Sequence, residues 1–201
     1  PADEAAHHQA LRRMKFEELF YFQFKMQALR LKDKNTARGL TIAFDKAALV
    51  EKIRTLPFSL TAAQKQSLRE IIIDMTSPYH MNRLLQGDVG SGKTVVASLA
   101  MYVAIKAGFQ AALMVPTEIL AQQHYESLHT LFPELSIGLL TGGMKAAERR
   151  EILSGLESGE IQMVTGTHAL IQESVNYHAL GLVITDEQHR FGVNQRRIFR
   201  E

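Results

Sequence analysis

The chain has no cysteine among its 201 residues. Disulfides and thiolate metal sites are therefore excluded, and a reducing, intracellular setting is the simple expectation. A long apolar run is also missing. The longest, Val95 to Ile105, lies between Lys93 and Lys106, well short of the roughly 20 residues needed to span a bilayer, so no membrane association is expected. The first residues include Asp3, Glu4, His7 and His8 and do not form a secretion signal. There is no internal repeat and no low-complexity segment. An excess of one charge is lacking too: 23 Lys and Arg against 21 Asp and Glu leave a formal net charge of +2, which permits contact with nucleic acid without arguing for it. What is present is an ordinary globular composition, 46% hydrophobic and 22% charged, long enough to bury one sizeable core. The missing initiator Met and the helical-looking end, Gln195 to Glu201, point to a piece of a longer protein.

Periodicity divides the chain in two. Residues 5 to about 31 read as one helix with two apolar stripes, Leu19, Phe22, Met26 and Leu29 on one and Phe16, Phe20 and Phe24 on the other, a pattern suited to packing against more than one surface. A polar loop ending at Gly39 follows, then a short helix over Phe44 to Thr55. From Leu60 onward the pattern changes. A helix from Thr61 to about Met75 precedes short apolar strands at Arg83–Gln86, Ala111–Val115, Ile137–Leu140, Ile161–Val164 and Leu182–Thr185. Helices at Lys93–Ala107, Glu118–Leu131 and Ala146–Ser158 alternate with them. Apolar strands each followed by a helix predict a mainly parallel sheet covered on both faces, with ligands at the strands' C-terminal ends. The expected division is a helical linker over 1–57 and an α/β unit over 58–201.

The most informative stretch is Gly87-Asp88-Val89-Gly90-Ser91-Gly92-Lys93-Thr94. It reads G-x-x-x-x-G-K-T between a predicted strand and a predicted helix, the context a phosphate-binding loop needs. Its glycines let backbone N–H groups curl around phosphate oxygens, and the start of the helix adds unpaired donors. Lys93 is placed to reach the β- and γ-phosphates, and the Thr94 hydroxyl to hold Mg²⁺.

Asp186-Glu187 directly follows the apolar run Leu182 to Thr185, so both carboxylates emerge at a strand end. Downstream of a phosphate loop, the first acid is suited to Mg²⁺ and the second to orienting or deprotonating an attacking water. Successive residues of an extended segment point opposite ways, so the two cannot share one role. Thr61-Ala62-Ala63-Gln64 admits two compatible readings. It fits a capping box that opens a helix, and a Gln amide offers the donor and acceptor that an adenine edge requires. Phe58 just upstream is available to stack on a base.

Three further segments follow strands: Pro116 to Ala121, Thr141-Gly142-Gly143 and Gly166-Thr167-His168. Each is explained singly as a turn with a helix cap. Together they put Thr hydroxyls and backbone N–H groups where a nucleic-acid backbone would pass. His124 and His129 are spaced poorly for a shared metal, and Arg196, Arg197 and Arg200 read as a solvated helix face.

In order and wording these segments resemble the motifs of superfamily 2 helicases. Three stretches narrow the resemblance to the RecG family of branch-migrating DNA helicases: Met81 through Thr94, Gly166-Thr167-His168-Ala169-Leu170-Ile171-Gln172 and Asp186-Glu187-Gln188-His189-Arg190-Phe191-Gly192-Val193. The resemblance covers essentially residues 58 to 197. The transcription-repair coupling translocases have a similar motor, but Ser91 and Gln188 fit RecG better. A non-catalytic nucleotide-binding module is the alternative of a different class, and Glu187 argues against it.

The resemblance implies a RecA-like lobe, the first of two, preceded by a linker to a wedge domain. It implies ATP and Mg²⁺ as cofactors, with Lys93, Thr94 and Asp186 on the phosphates and metal and Glu187 activating water. Gln64 would read adenine, Gln188 and His189 would couple nucleotide state to DNA, and Thr117, Gly142, Thr167 and His168 would track the DNA backbone. It further implies double-stranded or branched DNA as partner, a second lobe and a wedge domain in cis, and a bacterial cytoplasmic, nucleoid-associated setting. A second lobe would supply an arginine finger, typically worth 10³–10⁵ in rate, so this segment alone is expected to bind nucleotide weakly and turn it over negligibly.

Overall fold

The computed structural model describes residues 21–25, 43–76, 82–86 and 92–187. Within them the order is β1 (Tyr21–Lys25), α1 (Lys46–Thr55), α2 (Ala62–Thr76), β2 (Asn82–Gln86), α3 (Lys93–Lys106), β3 (Gln110–Met114), α4 (Glu118–Leu131), β4 (Ile137–Leu140), α5 (Ala146–Ser158), β5 (Met163–Gly166), a short 3₁₀ helix (His168–Ile171) and β6 (Leu180–Glu187). The strands form one sheet in the order β2-β1-β6-β3-β5-β4. The four strands β6, β3, β5 and β4 are parallel to their neighbours, and β1 runs antiparallel to both β2 and β6. Five strands therefore point one way and one opposes them.

That opposing strand corrects the expected helix over residues 5 to 31. Tyr21–Lys25 is extended and fills the space between β2 and β6. Three of its five residues are aromatic, a composition that favours strands. In that position its backbone groups are paired on both edges, which a helix there could not offer its neighbours. The rest of the expected helix, and the loop ending at Gly39, lie outside the described residues. The strand expected at Ile161–Val164 is displaced to Met163–Gly166, because the backbone N–H groups of Gln162 and Met163 are still turned to Ser136 O as the chain enters the sheet.

Alternation along β3 shows how the two faces are covered. Ala111 and Leu113 join one buried cluster, and Ala112 and Met114 the other, as a period of two requires. The first cluster takes in α1, α2, α3 and α4 through residues such as Leu49, Ile71, Leu99 and Leu128. The second is closed by α5 and the 3₁₀ helix through Leu156 and Leu170. Every residue of α3 from Val96 to Ile105 is buried, which accounts for the unbroken apolar run in its sequence. Helices thus cover both faces of a largely parallel sheet, the architecture of a RecA-like lobe.

Helix α1 belongs to the same core. Asp45 caps it by accepting from Ala48 N at 3.0 Å, and Leu49 is buried in the larger cluster. Lys52 Nζ lies 3.0 Å from Glu134 Oε1 and 4.7 Å from the centre of the Phe132 ring, which itself stacks on Tyr102. Among the described residues no helix is long and apolar enough to cross a membrane.

Candidate nucleotide and nucleic-acid site

The sheet register brings two distant segments to one rim. Tyr21 pairs with Gln86 at the end of β2 and with Glu187 at the end of β6. Two strand spacings separate Gln86 from Glu187, roughly 10 Å. The phosphate-loop sequence begins at Gly87, and Asp186 and Glu187 are the last residues of β6. Residues Gly87, Asp88, Val89, Gly90 and Ser91, together with Gln188 and His189, lie outside the described residues.

The described end of the loop fits a phosphate group. Gly92 is the N-cap of α3, in the left-handed region at φ 77°, and caps with no side chain. A Cβ there would be strained by that backbone angle and would meet Gln64 Nε2 at 1.8 Å. Lys93 and Thr94 are the first two helical residues, where backbone N–H groups have no partner within the helix. Both are half-buried, and the Lys93 Nζ atom itself is buried. Glycine backbone and helix start thus meet where Lys93 and Thr94 begin α3, a donor set suited to phosphate oxygens.

Gln64 reaches this point from α2. Its Oε1 accepts from Thr61 N at 2.8 Å, while its own N–H donates to Thr61 Oγ1 at 3.1 Å. That is the reciprocal capping box expected from the sequence. The same amide donates through Nε2 to Gly92 O at 3.3 Å. The cap therefore aims Gln64 at the phosphate loop. Phe58 is exposed nearby in sequence, at 42%.

On the other half of the sheet, the ends of β3, β5 and β4 are adjacent, and their loops are stitched together. Val115 N donates to Gly166 O at 2.8 Å, and Thr167 N to Leu140 O at 3.3 Å. Thr117 caps α4, its Oγ1 accepting from Leu120 N at 3.2 Å. Gly142 and His168 are exposed and Thr167 is half-buried. The segments carrying Thr117, Gly142, Thr167 and His168 therefore share one edge.

The structure adds residues that the sequence did not single out. Glu118 Oε1 accepts from Gly143 N at 3.0 Å. Arg149 Nη2 donates to Gln172 Oε1 at 2.9 Å, tying α5 to the segment after the 3₁₀ helix. Tyr177 donates to Leu170 O at 2.8 Å, and burial pushes its hydroxyl well above the usual tyrosine range, so it stays a donor. No spacing rule points to these partners, which lie between 7 and 25 residues apart.

Residues 61–201 match the sequence pattern of the DEAD/DEAH box helicase family. The ATP-dependent DNA helicase RecG of Streptococcus pneumoniae serotype 4 is 60% identical over 197 residues, covering 98% of this chain and 29% of that protein. RecG of Bacillus subtilis is 55% identical over 193 residues, covering 95% of this chain and 28% of that protein. A solved structure of RecG bound to a three-way DNA junction is 52% identical, with a TM-score of 0.71, and covers 77% of this chain and 22% of that one. The chain spans less than a third of the length of these relatives. With a lobe of the expected architecture and a matching pattern over residues 61–201, the chain belongs to the DEAD/DEAH box helicase family.

Proposed function

We propose that this chain is the first motor lobe of a RecG-type DNA helicase, coupling ATP hydrolysis to movement on double-stranded or branched DNA in repair and recombination. The observation that carries this reading is the shared rim. The start of α3, bearing Gly92, Lys93 and Thr94, follows a strand whose end lies two strand spacings from Glu187. Lys93 and the N–H groups of the phosphate loop, Gly87 through Gly92, would hold the phosphates of ATP, and Gln64 and Phe58 its base. Thr94 and Asp186 would hold Mg²⁺, which when bound offsets phosphate charge. Glu187 would orient and deprotonate the attacking water. Gln188 and His189 would pass nucleotide state to the nucleic acid, and Thr117, Gly142, Thr167 and His168 would contact its backbone without reading sequence.

In this reading a linker toward a wedge domain lies within residues 1–57, but the expected boundary at 58 moves, because Tyr21–Lys25 and Lys46–Thr55 pack into the lobe as β1 and α1; a second RecA-like lobe lies elsewhere in the full-length protein. The bacterial cytoplasm, at the nucleoid, is the matching location. The alternative of a coupling translocase has less support, since the relatives matched at 52–60% identity are RecG proteins.

The test is Glu187→Gln in the full-length protein. DNA-stimulated ATP hydrolysis is expected to fall by on the order of 10³ while nucleotide affinity stays within about twofold, the pattern of a group needed only in the transition state. Retained turnover would remove Glu187 from its role. Loss of nucleotide binding with the fold intact would assign it to the ground state.

A further inference from the structure

We propose that Glu118 is a positioning residue: it holds the Thr141–Gly142–Gly143 turn so that Gly142 can receive the backbone of a bound nucleic-acid strand. The inference rests on the reading of this rim as a DNA-facing edge.

Three rim glycines differ in why they are glycine. A Cβ on Gly166 would meet the Leu140 carbonyl oxygen at 2.0 Å, so close passage of β5 against β4 explains it. A Cβ on Gly143 would come within 3.0 and 3.2 Å of the two Glu118 carboxylate oxygens. Gly142 has neither reason. A Cβ there would meet nothing within 4 Å, and its φ is outside the left-handed region. Its N–H makes no hydrogen bond among the described residues. An exposed backbone donor with open space in front of it suits the close approach of a group from outside, such as a phosphate oxygen.

Among the described residues, one long-range side-chain hydrogen bond reaches this turn. Glu118 stands in the first turn of α4, after β3, and reaches across to Gly143 N at 3.0 Å, 25 residues away in sequence. Both partners are exposed. The carboxylate is acceptor-only and occupies the Gly143 donor, so a phosphate arriving at the turn is left with the donor of Gly142. Exposed Lys145, three residues on, adds a cation to the same approach. A carboxylate near a phosphate path repels it in general, so its presence here is accounted for by the bond it makes, not by its charge.

Charge and bond are separated by comparing Glu118→Ala with Glu118→Gln in the full-length protein. The glutamine oxygen can still accept from Gly143 N–H. DNA-stimulated ATPase on a forked duplex is expected to show KM for DNA raised by about fivefold in E118A, with kcat at saturating DNA and ATP affinity each within about twofold of the parent. E118Q is expected to restore most of the KM. A KM in E118A equal to that of the parent would overturn the proposal, as would an E118Q protein no better than E118A. Gly142→Ala is the companion variant. The open space predicts an unchanged melting temperature together with a raised KM, and an unchanged KM would also overturn the proposal. Failure of the unsubstituted full-length protein to bind DNA would instead strike the parent reading of the rim, and this inference with it.

Discussion

At the starting end of the strands, buried polar groups do the fastening. Gln110, 4% exposed, donates through Nε2 to Leu156 O at 2.9 Å and Ile161 O at 2.7 Å, and accepts from Ala179 N at 2.9 Å. Lys52, 6% exposed, is held between Glu134 and the Phe132 ring. At the finishing end of the same strands two side-chain ties, Glu118 to Gly143 and Arg149 to Gln172, run between exposed groups. Buried bonds are costly to break because the partners left behind stay out of water, while exposed ones are readily replaced by solvent. The buried side-chain bonds of Gln110 and Lys52 thus lie at the end away from the proposed nucleotide site. The working rim can then present open donors such as Gly142 N–H and exposed apolar side chains such as Ile119 and Ile171, 73% and 45% exposed.

Four outcomes sharpen or break this contrast. The largest is expected from Gln110→Leu, which strands the Ile161 carbonyl and the Ala179 N–H and leaves Leu156 O with only its bond from His178 N. A loss of at least about 3 kcal/mol in denaturant or thermal unfolding follows from the cost of unsatisfied buried groups, and a loss under about 1 kcal/mol would show that these buried bonds do not fasten the starting end. Lys52→Ala removes a buried stem, an ion pair whose partner Glu134 is partly exposed, and a cation–π contact. About 1–2 kcal/mol is expected in the same measurement, with Lys52→Met recovering the part due to packing.

A pH effect comes next. Burial lowers the pKa of His124 on α4 from its ordinary 6.5. The unfolded chain therefore takes up this proton before the folded one does. The stability contribution is full above about pH 6.5 and is lost as pH falls from there through the lowered folded value. Replacing His124 by Gln is expected to flatten the melting temperature over that acidic window, and an unchanged slope would assign the pH effect elsewhere. The smallest effect is expected from Thr165→Val. Thr165 Oγ1 is fully buried on β5 with no hydrogen bond among the described residues. The near-isosteric change is expected to be neutral or to stabilise by up to about 1 kcal/mol, and a clear destabilisation would reveal a partner for that hydroxyl.

Much of this molecule is legible from residue order. The alternation of strands and helices after Leu60 follows from apolar runs of two distinct lengths, and α3 is recognisable because its buried surround leaves no polar face. Asp45 and Thr61 announce helix starts through side chains that reach their own backbone. Such signals are local, within three or four residues, and so survive without knowledge of the fold. The sequence of Tyr21–Lys25 suits a helix as well as a strand because a run of aromatics satisfies both a helical stripe and a strand, and only the partners on either side decide between them. Gln110, Glu118 and Lys52 carry no local mark. Each becomes important through a group 25 or more residues away.

The amino-acid order alone determined that a glycine-rich loop opens a helix, that an acidic pair ends a strand, and that a layered α/β unit carries both, because these depend on spacing and on what each backbone segment can bury. Only the assembled sheet decided that Gln86 and Glu187 face the same opposing residue, that Gln64 touches Gly92, and that a carboxylate after β3 steadies a turn after β4. Those are distances between segments far apart in the chain, fixed by register and packing, and no property of a segment taken by itself contains them.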